Sequence, residues 1–194
     1  MNGKYLDWTR GEEEALLNIV GGTEVARAVL RGEKKLTVEN IAPQQSVTPP
    51  PLVGTVVKTI TLKPYNAKSV AEAIKLGKYD GVDGDIVQLF ADDEVGLTTA
   101  QKVILVQFDR NWTNTEVLAW AKENGDKKPI LPKHIYAIGA QHPEEQRKRS
   151  IAGCGSVRDG DVLYLFGDSG WRGLFRGSVS GDWDQVCLVG FLSE

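Results

Sequence analysis

The sequence predicts an α+β fold, and three observations carry that expectation. Helix-start signals recur ahead of residue 150, at Thr9, Thr23, Ser69, Thr113 and Pro132. One strongly apolar strand, Lys102 to Phe108, lies among them. From Ser150 onward, short apolar pieces alternate with Gly, Asp and Ser, the pattern of a meander of short strands and turns. Helices first and strands crowded at the end make an α+β arrangement.

The elements follow in order. Thr9 and Glu12 form a capping box, with Ala15, Leu16, Ile19 and Val20 as an apolar stripe and Gly21-Gly22 as the stop. Thr23 caps a second short helix, with Val25, Ala26, Val29 and Leu30 inward and Gly32 at its end. Helices this short need a surface to dock on. Leu36 to Ile41 reads as a short strand. Residues 1–42 are thus expected as an N-terminal helical segment that can mediate oligomerisation. The Pro-rich run from Pro43 to Pro51 favours extended backbone without hydrogen bonds, so 43–52 is expected as a linker, the alternative being a loop laid over the surface.

Residues 53–194 are expected as one domain. Thr55 to Leu62 alternates β-branched residues as a strand does. Ser69 and Glu72 open a helix carrying Val70, Ala73, Ile74 and Leu76, ended by Gly77. The aspartates of Asp80 to Asp85 suit calcium by type, but the twelfth residue from Asp80 is Ala91 rather than the bidentate Glu of a helix-loop-helix site, and a pair of turns is the plainer reading. Thr113 and Glu116 box a helix with Val117, Leu118, Trp120 and Ala121, closed by Gly125. Leu131-Pro132 opens another, with Ile135, Tyr136 and Ile138 inward. The final strands are expected at Ile151 to Val157, Val162 to Phe166, Trp171 to Phe175 and Val186 to Phe191.

Composition narrows the function classes. A hydrophobic fraction of 41%, a charged fraction of 25% and a net charge of −3 describe an ordinary globular protein whose surface repels nucleic acid phosphates. The basic run Arg147-Lys148-Arg149 follows Glu144-Glu145 and reads as a solvated helix end. No nucleic acid partner is expected. No apolar run reaches the length of a membrane span, and Met1 to Trp8 lacks the apolar stretch of a secretory signal. A cytoplasmic location is therefore the default, with export by another route left open. Cys154 and Cys187 match no zinc spacing and read as two small buried hydrophobes.

The stretch Val106 to Val117 (Val-Gln-Phe-Asp-Arg-Asn-Trp-Thr-Asn-Thr-Glu-Val) resembles the opening of C-type lectin folds of the formylglycine-generating-enzyme type. There a strand ending in an aromatic leads to Val-Thr-Asn and a helix; here Trp112 stands for the Val. Pro129 to Pro132 resembles the Arg-Leu-Pro-Thr segment opening that family's second helix, with Lys133 in place of Thr. Val189-Gly190-Phe191 resembles the closing Gly-Phe-Arg strand, with Leu192 in place of Arg. The resemblance covers about residues 100–194 and implies a C-type-lectin-like C-terminal domain behind an N-terminal helical extension. The segments Gly139 to Arg147 and Ile151 to Val157 also resemble a set of proteins with no known activity.

The tail from Arg158 to Asp184 uses only Arg, Asp, Gly, Val, Leu, Tyr, Phe, Ser and Trp. Aromatics give rigid contact area, and Ser, Gly and Asp give turns and hydrogen bonds, as adaptable binding surfaces require. The pattern resembles the variable proteins of diversity-generating retroelements, which share the lectin scaffold and display residues from randomised template adenines on its C-terminal strands. The resemblance implies a ligand-binding protein for a protein or small-molecule ligand. Asp161, Tyr164, Phe166, Asp168, Ser169, Arg172, Phe175, Arg176, Ser178, Ser180 and Asp182 would be its exposed or half-exposed contacts, with Trp171 and Trp183 as scaffold. The plainer reading makes Tyr164, Phe166 and Phe175 core. A static interaction module of a mobile element or prophage is the alternative.

An enzyme is the third reading and is not expected. The oxidase members of the family use a close cysteine pair with a metal, and Cys154 and Cys187 sit in no such motif. His134 and His142 do not complete a zinc site and read as surface or capping residues. Asp159, Asp161, Asp168, Asp182 and Asp184 offer a carboxylate pair but read more simply as turn formers. No phosphate-cradling loop is present, so no cofactor, metal or catalytic residue is expected.

Overall fold

The computed structural model describes residues 23–33 and 50–193. The chain divides into two compact units, Met1–Pro49 and Pro50–Glu194. The helix expected after Thr9, the strand expected at Leu36 to Ile41 and the Pro-rich run before Pro50 lie outside the described residues. In the first unit, α1 (Thr23–Leu30) ends ahead of Gly32, whose φ of 73° is the left-handed stop expected there. Ala28 is its buried residue, while Val25, Ala26 and Val29 are half-buried.

The second unit is α+β. A seven-stranded mixed sheet contains β1 (Gly54–Leu62), β2 (Gly81–Val82), β3 (Gln101–Phe108), β4 (Ile151–Arg158), β5 (Asp161–Gly167), β6 (Arg172–Ser178) and β7 (Leu188–Ser193), in the order β1-β3-β7-β4-β5-β6-β2. The helices are α2 (Val70–Gly77), α3 (Ile86–Leu89), α4 (Asn114–Glu123), α5 (Pro132–Gln141) and α6 (Pro143–Lys148). Among them no helix is long and apolar enough to cross a membrane. Pro50 to Leu52, expected in the linker, are held on this unit: Arg110 donates to the Pro50 carbonyl and Leu52 is buried.

Strand alternation splits the apolar residues between two cores. Val103, Leu105, Ile151, Leu163, Leu165 and Leu174 face one side, where Val70 and Ala73 of α2 and Ile135 and Ile138 of α5 cover them. Ile104, Val106, Phe108, Ala152, Val189 and Phe191 face the other, against Val117, Trp120 and Ala121 of α4. Buried on both faces, β3 reads as a continuous apolar run, which is why it was legible from sequence. It lies one strand in from the β1 edge rather than at the centre, which β4 occupies between β7 and β5. At that edge, a bulge between Val56 and Lys58 breaks the register, a device that limits edge pairing.

The caps behave as their chemistry dictates. Thr113 Oγ1 accepts the Glu116 N–H, and Glu116 accepts the Thr113 N–H at 2.9 Å, a full capping box. At α2 only half of the box forms: Ser69 accepts from Glu72 N–H, but the Glu72 carboxylate takes the Lys68 N–H instead. Gly77 is the last helical residue of α2, and the left-handed position falls on Lys78, with φ 50°. Leu76 and Leu118, named among the apolar residues of these helices, are exposed, because each lies off its helix's buried stripe.

His134 caps α5 from within the protein rather than at its surface. Its Nδ1 accepts the Leu131 N–H at 2.9 Å and its Nε2 faces Gln101 Oε1 at 2.7 Å. This arrangement requires the neutral ring with its proton on Nε2. Burial, with help from Lys133, holds its pKa down at about 4. The unfolded ring, with an ordinary pKa near 6.5, takes up a proton first as pH falls. The His134 contribution is therefore complete above about pH 6.5 and is lost progressively down to about pH 4. Thermal unfolding should show roughly 2–3 kcal/mol of stability lost over that window, and His134→Gln should flatten that part of the pH slope. An equal slope in both proteins would remove His134 as its source.

Candidate functional site

The α4 side of the sheet has a second half, over β5 and β6, where rings take over from helix. Trp112 is fully buried, and its N–H and C=O both pair with Trp183, at 3.0 and 2.8 Å. The two indoles stack with centroids 5.2 Å apart and planes 2° from parallel. Tyr164 meets Trp183 edge-on at 5.3 Å and contacts Phe175 at 5.8 Å. Phe175 stacks on Trp171 at 5.5 Å, and Trp171 meets Phe166 at 6.2 Å. Six rings thus form one chain from the α4 core outward to Phe166, which is 43% exposed.

Glycine makes the ladder lie flat. A Cβ on Gly177 would sit 2.4 Å from the Trp183 ring, and one on Gly173 would sit 2.2 Å from Phe175 and 2.5 Å from Trp171. Any larger residue at either position would push a ring off the strand. Each ring pair in such geometry adds about 0.5–1.5 kcal/mol beyond its area burial. Trp183 is tied down further by its indole N–H, which donates to the Ser178 carbonyl at 3.2 Å.

A cleft of about 420 Å³ opens beside the ladder, walled by Tyr164, Phe166 and Trp183 and edged by Ser178, Asp182 and Asp184. Asp184 accepts the Val186 N–H at 2.9 Å. Asp182 is exposed and has no hydrogen-bond or ionic partner among the described residues.

The other residues expected as contacts separate into two groups. Asp168, Ser169, Ser178 and Ser180 are exposed. Asp168 Oδ1 accepts the N–H groups of Gly170 and Trp171 at 2.8 and 2.9 Å, the turn role its residue type suggests. The Ser178 and Ser180 hydroxyls lie 2.9 Å apart. Tyr164 and Phe175 are half-buried in the ladder, and Asp161 pairs with Arg176 at 2.9 Å.

Arg172 corrects the sequence expectation, since it is buried. Its side chain falls on the helix-covered side with Leu174, where it donates to the carbonyls of Gly77 and Gly139 at 2.7 and 2.8 Å and lies over the Tyr79 ring. One guanidinium thus ties the end of α2 to α5 and β6. Its Nη2 donates to both carbonyls, which sequence cannot place near it, while its buried Nε has no partner among the described residues.

The Asp80 to Asp85 segment is likewise engaged. Asp80 Oδ2 accepts the Arg172 N–H at 2.8 Å, and Asp83 Oδ2 accepts the Arg176 N–H at 2.9 Å. Between them β2 pairs in parallel with Gly173 and Leu174. Asp85 holds the Arg176 guanidinium at 2.8 Å. These carboxylates finish the β6 edge, and among the described residues no group of three His, Cys, Asp or Glu can hold a metal ion.

The remaining candidates do not converge. His142 Nε2 sits 3.1 Å from the Thr61 carbonyl, and Asp159 occupies the left-handed turn between β4 and β5, with φ 50°. Cys154 and Cys187 are free and buried, and burial pushes the Cys154 thiol up to about 12 and raises that of Cys187 too. Neither is a thiolate at neutral pH. Compared with protein-family models, curated proteins and solved structures, the chain matches none.

Two substitutions separate scaffold from surface. Arg172→Ala leaves two carbonyls without their donor and opens a buried gap, so it should cost about 3 kcal/mol, on the order of 10 °C in Tm. Phe166→Ala should cost under about 1 kcal/mol, because much of that ring is already in water. Thermal unfolding followed by circular dichroism reads both; a larger loss at Phe166 would place it in the core.

Proposed function

We propose that the chain is a ligand-binding protein whose recognition surface is the half-exposed aromatic ladder along β5 and β6. One observation carries this reading: Trp183, Tyr164, Phe175, Trp171 and Phe166 form a continuous ring surface beside an open cleft rather than a closed core. Rigid rings supply contact area at low entropic cost, and the exposed Asp168, Ser169, Ser178, Ser180 and Asp182 around them supply adaptable polar contacts.

The reading extends to a C-type-lectin-like scaffold of the formylglycine-generating-enzyme type and a variable protein of a diversity-generating retroelement. Two features support the extension. The side chains of Ser169, Ser180 and Asp182 are exposed, so changes there cost the fold little. Trp171 and Trp183, residues that template-adenine randomisation does not produce, carry the stacking. The second reading is a static interaction module of a mobile element or prophage. It is favoured by Asp161, Tyr164, Arg172, Phe175 and Arg176, whose mutual and core contacts limit their freedom to vary.

Sequencing the 3′ part of the gene and its flanking DNA across a population tests the reading. Variation is expected at Phe166, Ser169, Ser178, Ser180 and Asp182, matched to adenines in a nearby near-repeat, and absent from Trp171, Gly173, Gly177 and Trp183. An invariant tail with no near-repeat would end the variable-protein proposal and leave the static module.

A further inference from the structure

The cleft at the Trp183 end of the ladder has a chemistry of its own. Its lining contains three aromatic side chains and two carboxylates, Asp182 and Asp184, and no Lys or Arg. The carboxylates flank Trp183 in the chain, so acceptors and ring stand together at one rim. By contrast, Asp161 and Asp85, on the other face of the strand pair, are neutralised by sharing Arg176. Asp182 and Asp184 have no cation, and Asp182 has no partner of any kind among the described residues.

Aromatic walls attract cations through the ring quadrupole, and carboxylates at the rim add charge-assisted hydrogen bonds. An anionic ligand would meet uncompensated repulsion here, and a purely apolar one would bury the rim carboxylates without a partner. A guanidinium satisfies both parts, because it stacks flat on a ring while its edge donors reach carboxylate oxygens.

We propose that this cleft receives an arginine side chain presented by a basic segment of a partner protein. The proposal rests on the aromatic surface being a binding surface and adds the chemistry of the partner. Charge complementarity argues for it at the scale of the molecule too, since the chain carries a net charge of −3. Phe166 and Val186, 43% and 53% exposed, extend the apolar rim and give the arginine stem a surface to lie on.

The test titrates the isotope-labelled full chain with the peptide acetyl-Gly-Arg-Gly-amide and follows the assigned indole N–H of Trp183 by NMR. The same peptide with citrulline is the comparison, since citrulline keeps the shape and loses the charge. The arginine peptide should shift the Trp183 signal saturably, and the citrulline peptide should bind at least about tenfold more weakly. The double variant Asp182→Asn, Asp184→Asn keeps the shapes and the Val186 contact, and should bring the arginine peptide down to the citrulline level. Added salt should weaken only the arginine peptide. Equal shifts from both peptides would overturn the cation preference while leaving a binding surface in place. No shift from either would overturn the arginine proposal, and adenine-matched tail variation would then still support the wider reading by itself.

Discussion

The paired tryptophans Trp112 and Trp183 hold the two halves of this sheet face together. Trp112 follows β3 and leads into the α4 capping box; Trp183 sits in the segment between β6 and β7. Two backbone hydrogen bonds and a parallel ring stack join them. Phe108 packs edge-on against both Trp112 and Trp120, so the same cluster carries α4. Everything beyond Trp183 on this face, from Tyr164 to Phe166, takes its position from rings already fixed at that end.

The opposite face depends on a different device. There β6 would be an open edge with unpaired N–H groups, a liability for any sheet. A two-residue strand with an aspartate on each side covers it: β2 pairs with Gly173 and Leu174, while Asp80 and Asp83 accept the N–H groups of Arg172 and Arg176. Arg172 then reaches inward to α2 and α5. The acidic run, read in the sequence as a pair of turns whose residue types would also suit a cation, is therefore an edge cap, and its carboxylates are occupied by protein donors.

Much of the candidate surface was legible in outline. The narrow composition of the tail marked β5, β6 and the segment after them, and its aromatics do line one face. What composition did not separate was which charged residues stay at the surface and which are buried to hold the fold. Arg172 and Arg176 look alike in the chain, yet one is buried on helix carbonyls and the other is shared between two aspartates. Trp112 carried a signal only as a departure, a large ring where the family resemblance expects a Val, and its partner lies 71 residues away.

By itself the sequence determined the local elements: the α4 capping box, the Pro132 start of α5, the apolar β3 and the β4-β5-β6 meander from Ile151 to Ser178, whereas β7 leaves that meander to pair with β3 and β4. These follow from side-chain periodicity and from donors and acceptors within four residues of each other, which short strings encode. The tertiary structure alone decided the strand order, the division of the apolar residues between two cores, the burial of Arg172 and the assembly of the ring ladder. Each of those depends on contacts between residues far apart in the chain. Their energy appears only when the sheet is formed, so no local pattern records it.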